Sequence, residues 1–311
     1  MRAVYVRDRA RGGSIRHGLS LVEILVILGI IALTLAILLP AVQQVRDAAA
    51  RARCASNLRQ LAVAVHLYSQ DNHHLPRGCD YPFLSSDADL KRHAGLSWHT
   101  SILPYLEQAA LWTLAWEAHK EDPSSNADVH LAVRAKTILV FMCPSDPRQT
   151  GGYGHNGIVW GLTSYPGVAG THHRREDGVF HKDFTVRFAD ITDGTSNTLA
   201  IGERPPGPQG RFGAWYSAWG SSICPLAQIL GTRDDETASG EGEGDCPLDT
   251  GPLRPGQLGS LCHVSHFWSL HRGGASFGFA DGSVRFLRYS HSAILSALAT
   301  RAGGESIFVP D

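Results

Sequence analysis

The chain has 311 residues, 43% of them hydrophobic and 18% charged, which rules out an intrinsically disordered composition and leaves room for one sizeable core or two small ones. Its 28 Lys and Arg against 29 Asp and Glu give a formal net charge of -1, which argues against a nucleic-acid partner, because such a partner requires basic residues clustered on the folded part. The one marked basic excess lies at the extreme N-terminus instead.

Residues 1–18 form that basic leader, with Arg2, Arg7, Arg9, Arg11 and Arg16 against the single acid Asp8. An apolar run follows from Leu19 to Leu39, 21 residues with only Glu23 charged, and stops at Pro40. As a helix rising about 1.5 Å per residue it spans a hydrocarbon core of ~30 Å, and the basic leader holds its N-terminus on the cytoplasmic side. Residues 19–40 therefore read as one transmembrane helix, with the rest of the chain outside the cytoplasm. The run is too long for the apolar core of an ordinary secretory signal. A plain anchor gives no reason for Glu23, since a charged side chain at mid-membrane costs about 2.5–3.5 kcal/mol on insertion scales.

Residues 41–70 keep a helical composition, with Leu58, Leu61, Val65 and Tyr68 at 3-4-3 spacing, and continue the membrane helix as an amphipathic extension. A single helix from Leu19 to Gln70 is about 78 Å long, so its second half must lie outside the bilayer with its apolar stripe against a head. Pro40 predicts a kink. Asp71-Asn72, Pro76 and Gly78 end the helix, and residues 71–311 form the head.

Within the head, a strand is predicted near Leu96–Trp98, a helix over Leu103–Ala118 with Pro104 in its first turn, and a strand over Ile138–Met142. From Gly151 to Ser290, frequent Gly and Pro with short β-branched or aromatic runs predict a β-rich half. The stretch from Thr232 to Gly259, acidic and rich in Gly and Pro, reads as a solvated loop. Asp281-Gly282 suits a two-residue hairpin turn that would set Phe277, Phe279, Val284 and Phe286 on one face, and Ser292–Arg301 reads as a short helix. The expected fold class is α+β, a long N-terminal helix packed on a β-rich head.

Several residues invite a chemical reading. Gly274-Ala275-Ser276-Phe277-Gly278 matches a nucleophile-elbow pattern, but a hairpin rather than a helix follows the Ser, and His271 precedes it, so no catalytic residue is assigned. His263, His266, His271 and Asp281 would make a metal shell if the fold converged them, but compact zinc spacing is missing and hairpin bracing is favoured, so no metal ligand is assigned. Asp190, Asp193, Thr195 and Asn197 lack EF-hand spacing and read as Asx turns before a strand at Thr198–Ile201. Cys54, Cys79, Cys143, Cys224, Cys246 and Cys262 allow 15 complete pairings, and free buried thiols remain the alternative. No cofactor is implied.

Gly18 followed by Leu19-Ser20-Leu21-Val22-Glu23, after a basic leader and before an apolar helix, resembles the N-terminus of type IV pilins and type II secretion pseudopilins. Further along, Cys54-Ala55-Ser56-Asn57-Leu58-Arg59-Gln60, Phe141-Met142-Cys143-Pro144-Ser145-Asp146, Asp190 to Thr198, and His271 nine residues before Asp281-Gly282 are similar to a large bacterial family of prepilin-type proteins with a C-terminal domain of unknown function. The resemblance implies cleavage by a prepilin peptidase between Gly18 and Leu19, methylation of the new N-terminus, and assembly through Glu23, which would pair with the terminal amine of a neighbouring subunit. Leu19 and Ser20 depart from the Phe and Thr usual there. Because Cys54 and Cys143 both lie in family-like motifs, the resemblance also makes them the first guess for a disulfide.

The function expected is that of a pilin-like or pseudopilin-like structural subunit of a cell-envelope assembly, and not an enzyme. It would sit in the inner membrane with its head extracytoplasmic, or in a surface or periplasmic filament. Its partners would be the peptidase and other pilin-like subunits. The rival is an anchored extracytoplasmic binding protein or enzyme that uses the prepilin signal only for export.

Overall fold

The computed structural model describes residues 20–79, 96–125, 127–148, 153–155, 158–173, 175, 177–181, 184–208, 212–216, 228–233, 251–305 and 307. Its contacts divide the chain into two units at Arg46 and Asp47, with helix α1 (Leu21–Asn72) continuous through the boundary.

In the first unit, α1 starts at a capping box. The Ser20 backbone N–H donates to Glu23 Oε2 at 2.8 Å, and the Glu23 N–H donates to Ser20 Oγ at 3.2 Å, so two of the helix's orphan donors are satisfied reciprocally. The apolar side chains that follow are exposed on every face of the helix, from Leu21 and Ile24 through Leu33 to Leu39. No stripe is set aside for a protein core, and this helix is long and apolar enough to cross a membrane. Pro40 lies inside it, and the helix continues through.

The second unit begins at Asp47. Here α1 becomes amphipathic, burying Cys54, Leu58, Leu61, Ala62, Val65 and Ser69. That stripe packs on a five-stranded mixed sheet in the order β5 (Ile229–Leu230), β3 (Gly167–Val168), β4 (Leu199–Gly202), β6 (Gly274–Phe279), β7 (Val284–Arg288). A separate hairpin pairs β1 (Tyr153–His155) with β2 (Ile158–Trp160). The α1 face of the sheet joins Leu58, Leu61 and Val65 to Ile201 and Ala280. On the opposite face Leu199, Ala275, Phe277, Phe279 and Leu287 pack with Leu295 and Leu298 of the C-terminal helix Ser292–Ala299. The head is thus α+β, a sheet buried on both faces.

One irregularity positions the candidate site. Leu199 pairs with Phe279 but Ile201 pairs with Gly278, so β4 carries a bulge. A strand alternates with period 2, so one extra residue moves everything beyond it to the other face. Leu199 accordingly joins the far cluster while Ile201 faces α1. Glu203, two residues further on, is carried to the α1 side.

The final hairpin differs from its expected register. Gly282 N–H donates to Phe279 O, Phe279 N–H donates to Ser283 O, and only Gly282 takes a positive φ, +86°. A two-residue I′ turn needs positive φ at both positions, whereas a three-residue loop, a type I turn followed by a left-handed Gly, needs it only at the last. Phe277 therefore faces Arg285, and Phe286 faces Ser276, so Phe277 and Phe279 share a face with Leu287 rather than with Val284 and Phe286.

The helix expected over Leu103–Ala118 is split. Leu103–Leu106 forms a 3₁₀ turn around Pro104, Glu107 adopts a left-handed φ of 60°, and an α-helix resumes at Ala109–Glu121. Leu139–Phe141 is a 3₁₀ turn rather than a strand, and Ser97 makes only an isolated bridge to Cys79 before a helical turn at Trp98–Ser101. Residues 234–250 of the acidic stretch lie outside the described residues.

Candidate functional site

Four segments far apart in sequence meet at one buried point, where Cys54, Cys143, Glu203 and His271 bring their side-chain ligand atoms within 4.8 Å of one another. Cys54 comes from the buried stripe of α1. Cys143 opens a turn after the 3₁₀ segment, closed by Asp146 N–H to Cys143 O at 3.0 Å, and its own N–H donates to Ser164 Oγ at 3.1 Å. Glu203 follows β4, and its Oε2 accepts from Ser276 N–H at 2.8 Å, which fixes the carboxylate. His271 sits in the turn ahead of β6, its N–H donating to Ser269 Oγ at 3.0 Å while that hydroxyl donates to Gly274 O at 2.7 Å.

The two Sγ atoms are 2.9 Å apart, and both cysteines are free thiols. His271 Nε2 lies 3.1 Å from Cys54 Sγ, 3.5 Å from Cys143 Sγ and 3.3 Å from Glu203 Oε1. Glu203 is 1% exposed, and its Oε1, although close enough to His271 to form an ion pair, is not aligned for a hydrogen bond and has no hydrogen-bond partner.

The electrostatics follow from crowding. Hydrogen bonding to Cys143, with burial, pushes the Cys54 thiol far up. The same bond from Cys54 outweighs burial at Cys143, and with His271 beside it lowers that thiol to about 7. Burial alone would lower His271, but Cys143 and the Glu203 carboxylate reverse this and raise it to about 9. Burial raises the neighbouring Tyr165 phenol well above its ordinary value, with Glu203 and both cysteines adding to the effect. In chemical terms, two soft sulfur atoms, an imidazole and a carboxylate oxygen face one another away from water. Such a set can share a proton, form a disulfide or hold a metal ion.

The other residues singled out in the sequence lie elsewhere. His263 Nδ1 is 2.9 Å from His266 Nε2, and His266 Nδ1 is 3.1 Å from Phe267 O, so this pair does not join His271. Asp281 lies in the hairpin loop, accepting from Ser283 N–H at 2.8 Å. Asp190 pairs with Arg187 at 2.8 Å, and Asp193 accepts from the backbone of Gly303 and Gly304 at 2.7 and 2.9 Å, which are protein partners for both acids. Ser276 is in the middle of β6, where its backbone serves Glu203. Gly18 and Leu19 lie outside the described residues, and Glu23 is in the capping box. Cys262 is disulfide-bonded, whereas Cys54 and Cys143, the pair first guessed, are adjacent thiols.

Glu203 is the residue that sequence reasoning missed. Its signal was a charged pair, Glu203-Arg204, directly after the uncharged run Leu199-Ala200-Ile201-Gly202, since charges at the end of a buried strand need partners.

Residues 43–292 match the family described as "Protein of unknown function (DUF1559)". No curated protein and no solved structure matches.

Proposed function

Because the chain belongs to the DUF1559 family, whose description leaves function open, we propose that it is a pilin-like or pseudopilin-like subunit of a cell-envelope assembly. A prepilin peptidase removes residues 1–18, the apolar part of α1 sits in the inner membrane, and the head lies outside the cytoplasm. The role is structural rather than enzymatic, and other pilin-like subunits are its partners through the N-terminal helix. The observation that carries this reading is the apolar start of α1, exposed on every face and interrupted by one acid. A helix apolar all round requires lipid or other apolar helices as its surroundings, and the acid gives neighbouring helices something to pair with.

The test is made in cells that contain a prepilin peptidase. The mature N-terminus is sequenced, and single cysteines placed along the apolar helix are cross-linked. Mature chains beginning at Leu19 that cross-link into multimers support the proposal. A chain beginning at Met1, or one that stays monomeric, overturns it. The buried Cys54–Cys143–Glu203–His271 cluster favours a second reading, an anchored head that binds a ligand, and a processed but dispersed monomer would point there.

A further inference from the structure

We propose that Cys54, Cys143, Glu203 and His271 form a closed metal site for a borderline-soft divalent ion, Zn²⁺ foremost, that staples the outer half of α1 to the sheet.

Three observations support the site. The first is donor arithmetic around His271 Nε2. One ring nitrogen carries at most one proton, yet two sulfurs and a carboxylate oxygen crowd it at 3.1, 3.5 and 3.3 Å. A single proton serves one of these neighbours, whereas a metal ion bonds all of them at once. The second is Glu203 Oε1, which is buried, lacks a hydrogen-bond partner and is aimed into the cluster, while Oε2 is held by the Ser276 backbone. A carboxylate anchored through one oxygen with the other left bare is the arrangement of a monodentate ligand.

The third is geometry. Tetrahedral zinc with Zn–S of about 2.3 Å and Zn–N or Zn–O of about 2.0 Å separates its ligand atoms by about 3.3–3.8 Å. The His271–Glu203 and His271–Cys143 separations of 3.3 and 3.5 Å already fall in that range. The 2.9 Å Sγ–Sγ pair and the 3.1 Å His271–Cys54 pair must open, by about 0.9 and about 0.4 Å.

Charge balance allows the exchange. Without metal, two protons shared among the two sulfurs and the imidazole leave these groups, with the one carboxylate, at a net charge of -1. Binding a dication with release of both protons leaves the same -1, so no extra charge is buried. The set differs from carboxylate- and water-rich cages, which suit Mg²⁺ and Ca²⁺. Four protein ligands fill a tetrahedron, so the site is structural and has no open position for substrate. Its ligands come from α1, the turn after residue 141, the end of β4 and the turn before β6. The ion would therefore cross-link segments up to 217 residues apart.

The experiment uses the full chain in detergent, reduced and freed of metal, then dialysed against Zn²⁺ alone or Co²⁺ alone. The expected result is one metal ion retained per chain, loss of reactivity of two thiols, and for Co²⁺ a thiolate charge-transfer band with tetrahedral d–d absorption. Melting should occur at a higher temperature with metal than without. His271→Gln and Glu203→Gln should each weaken Zn²⁺ retention at least tenfold, while His263→Gln, outside the cluster, should leave it unchanged. So that misfolding of a cluster variant does not decide the outcome, the cobalt spectrum of the unsubstituted chain stands as a separate readout. Failure of the reduced chain to retain either metal, or an octahedral cobalt spectrum without thiolate bands, overturns the site. So does recovery of the chain from cells with a Cys54–Cys143 disulfide and no metal uptake after reduction.

Discussion

Acid should destabilise the head through His99, and the size of the effect follows from where this side chain sits. His99 is fully buried, stacked on Trp98 at 3.8 Å and set edge-on to Phe141 at 5.0 Å. Its Nε2 lies 3.0 Å from Tyr165 O, a carbonyl that can only accept, so Nε2 carries the proton. Nδ1 is buried with no partner. Protonating Nδ1 would place an N–H and a charge in an apolar pocket with no acceptor, and burial accordingly lowers the His99 pKa to about 3. An unfolded histidine titrates near 6.5, so below that pH the unfolded chain binds a proton that the folded one does not. The stability from neutral His99 is therefore complete above about pH 6.5 and is lost as pH falls towards 3, at about 1.4 kcal/mol per pH unit, or about 2 kcal/mol by pH 5.

The assay is urea unfolding of the detergent-solubilised chain, followed by tryptophan fluorescence, for the parent and for His99→Gln. The Gln amide still donates to Tyr165 O but does not titrate. The variant should be less stable at neutral pH through lost ring packing, yet its profile between about pH 6.5 and 5 should be flatter than the parent's by about 1.4 kcal/mol per pH unit. Parallel profiles would refute the reasoning, because they would mean that His99 takes up its proton without cost.

Gly282→Val should destabilise the head by about 1–3 kcal/mol through backbone strain at φ +86°, since the added Cβ meets only His66 Nε2 at an ordinary 3.8 Å, and Gly282→Asn should recover most of it in thermal melts. Gly178→Ala should cost at least as much for a different reason, because its Cβ would fall 2.1 Å from the Ala169 carbonyl carbon, backbone that cannot swing aside; a melting curve like the parent's would contradict that packing. Glu23→Gln should keep the capping box and leave membrane insertion and cleavage intact, but abolish cross-linked multimers if the carboxylate's charge is what neighbouring subunits recognise. Multimers equal to the parent's would leave Glu23 with the helix cap as its role.

Much of the architecture was legible in the sequence because it rests on long, regular patterns. The apolar run marked the start of α1, and the 3-4 spacing of Leu58, Leu61 and Val65 identified the stripe that packs on the sheet, positions that are all buried. Short elements were harder to read, for the physical reason that one residue decides them. A left-handed Glu107 splits one predicted helix, and a single left-handed Gly282 lengthens the hairpin loop by one residue and so exchanges the faces of β7.

The same sensitivity explains why the cluster could not be assembled from the sequence. Cys54, Cys143 and His271 each stood in a recognisable motif, but nothing in their spacing says that α1, a 3₁₀ turn and the approach to β6 converge. Glu203 depends on a feature with no sequence signature, the bulge between Leu199 and Ile201. In a regular strand Leu199, Ile201 and Glu203 would share one face, and Glu203 would enter the apolar layer formed by Leu199, Phe277 and Leu295. The bulge rotates the strand end so that the carboxylate meets a backbone donor at Ser276 and the imidazole of His271 instead. An ionised side chain in that apolar layer would cost several kcal/mol, so the bulge and the cluster support each other. The irregular strand allows a buried acid to stand beside Cys54 and Cys143, and the partners waiting there make the irregularity stable.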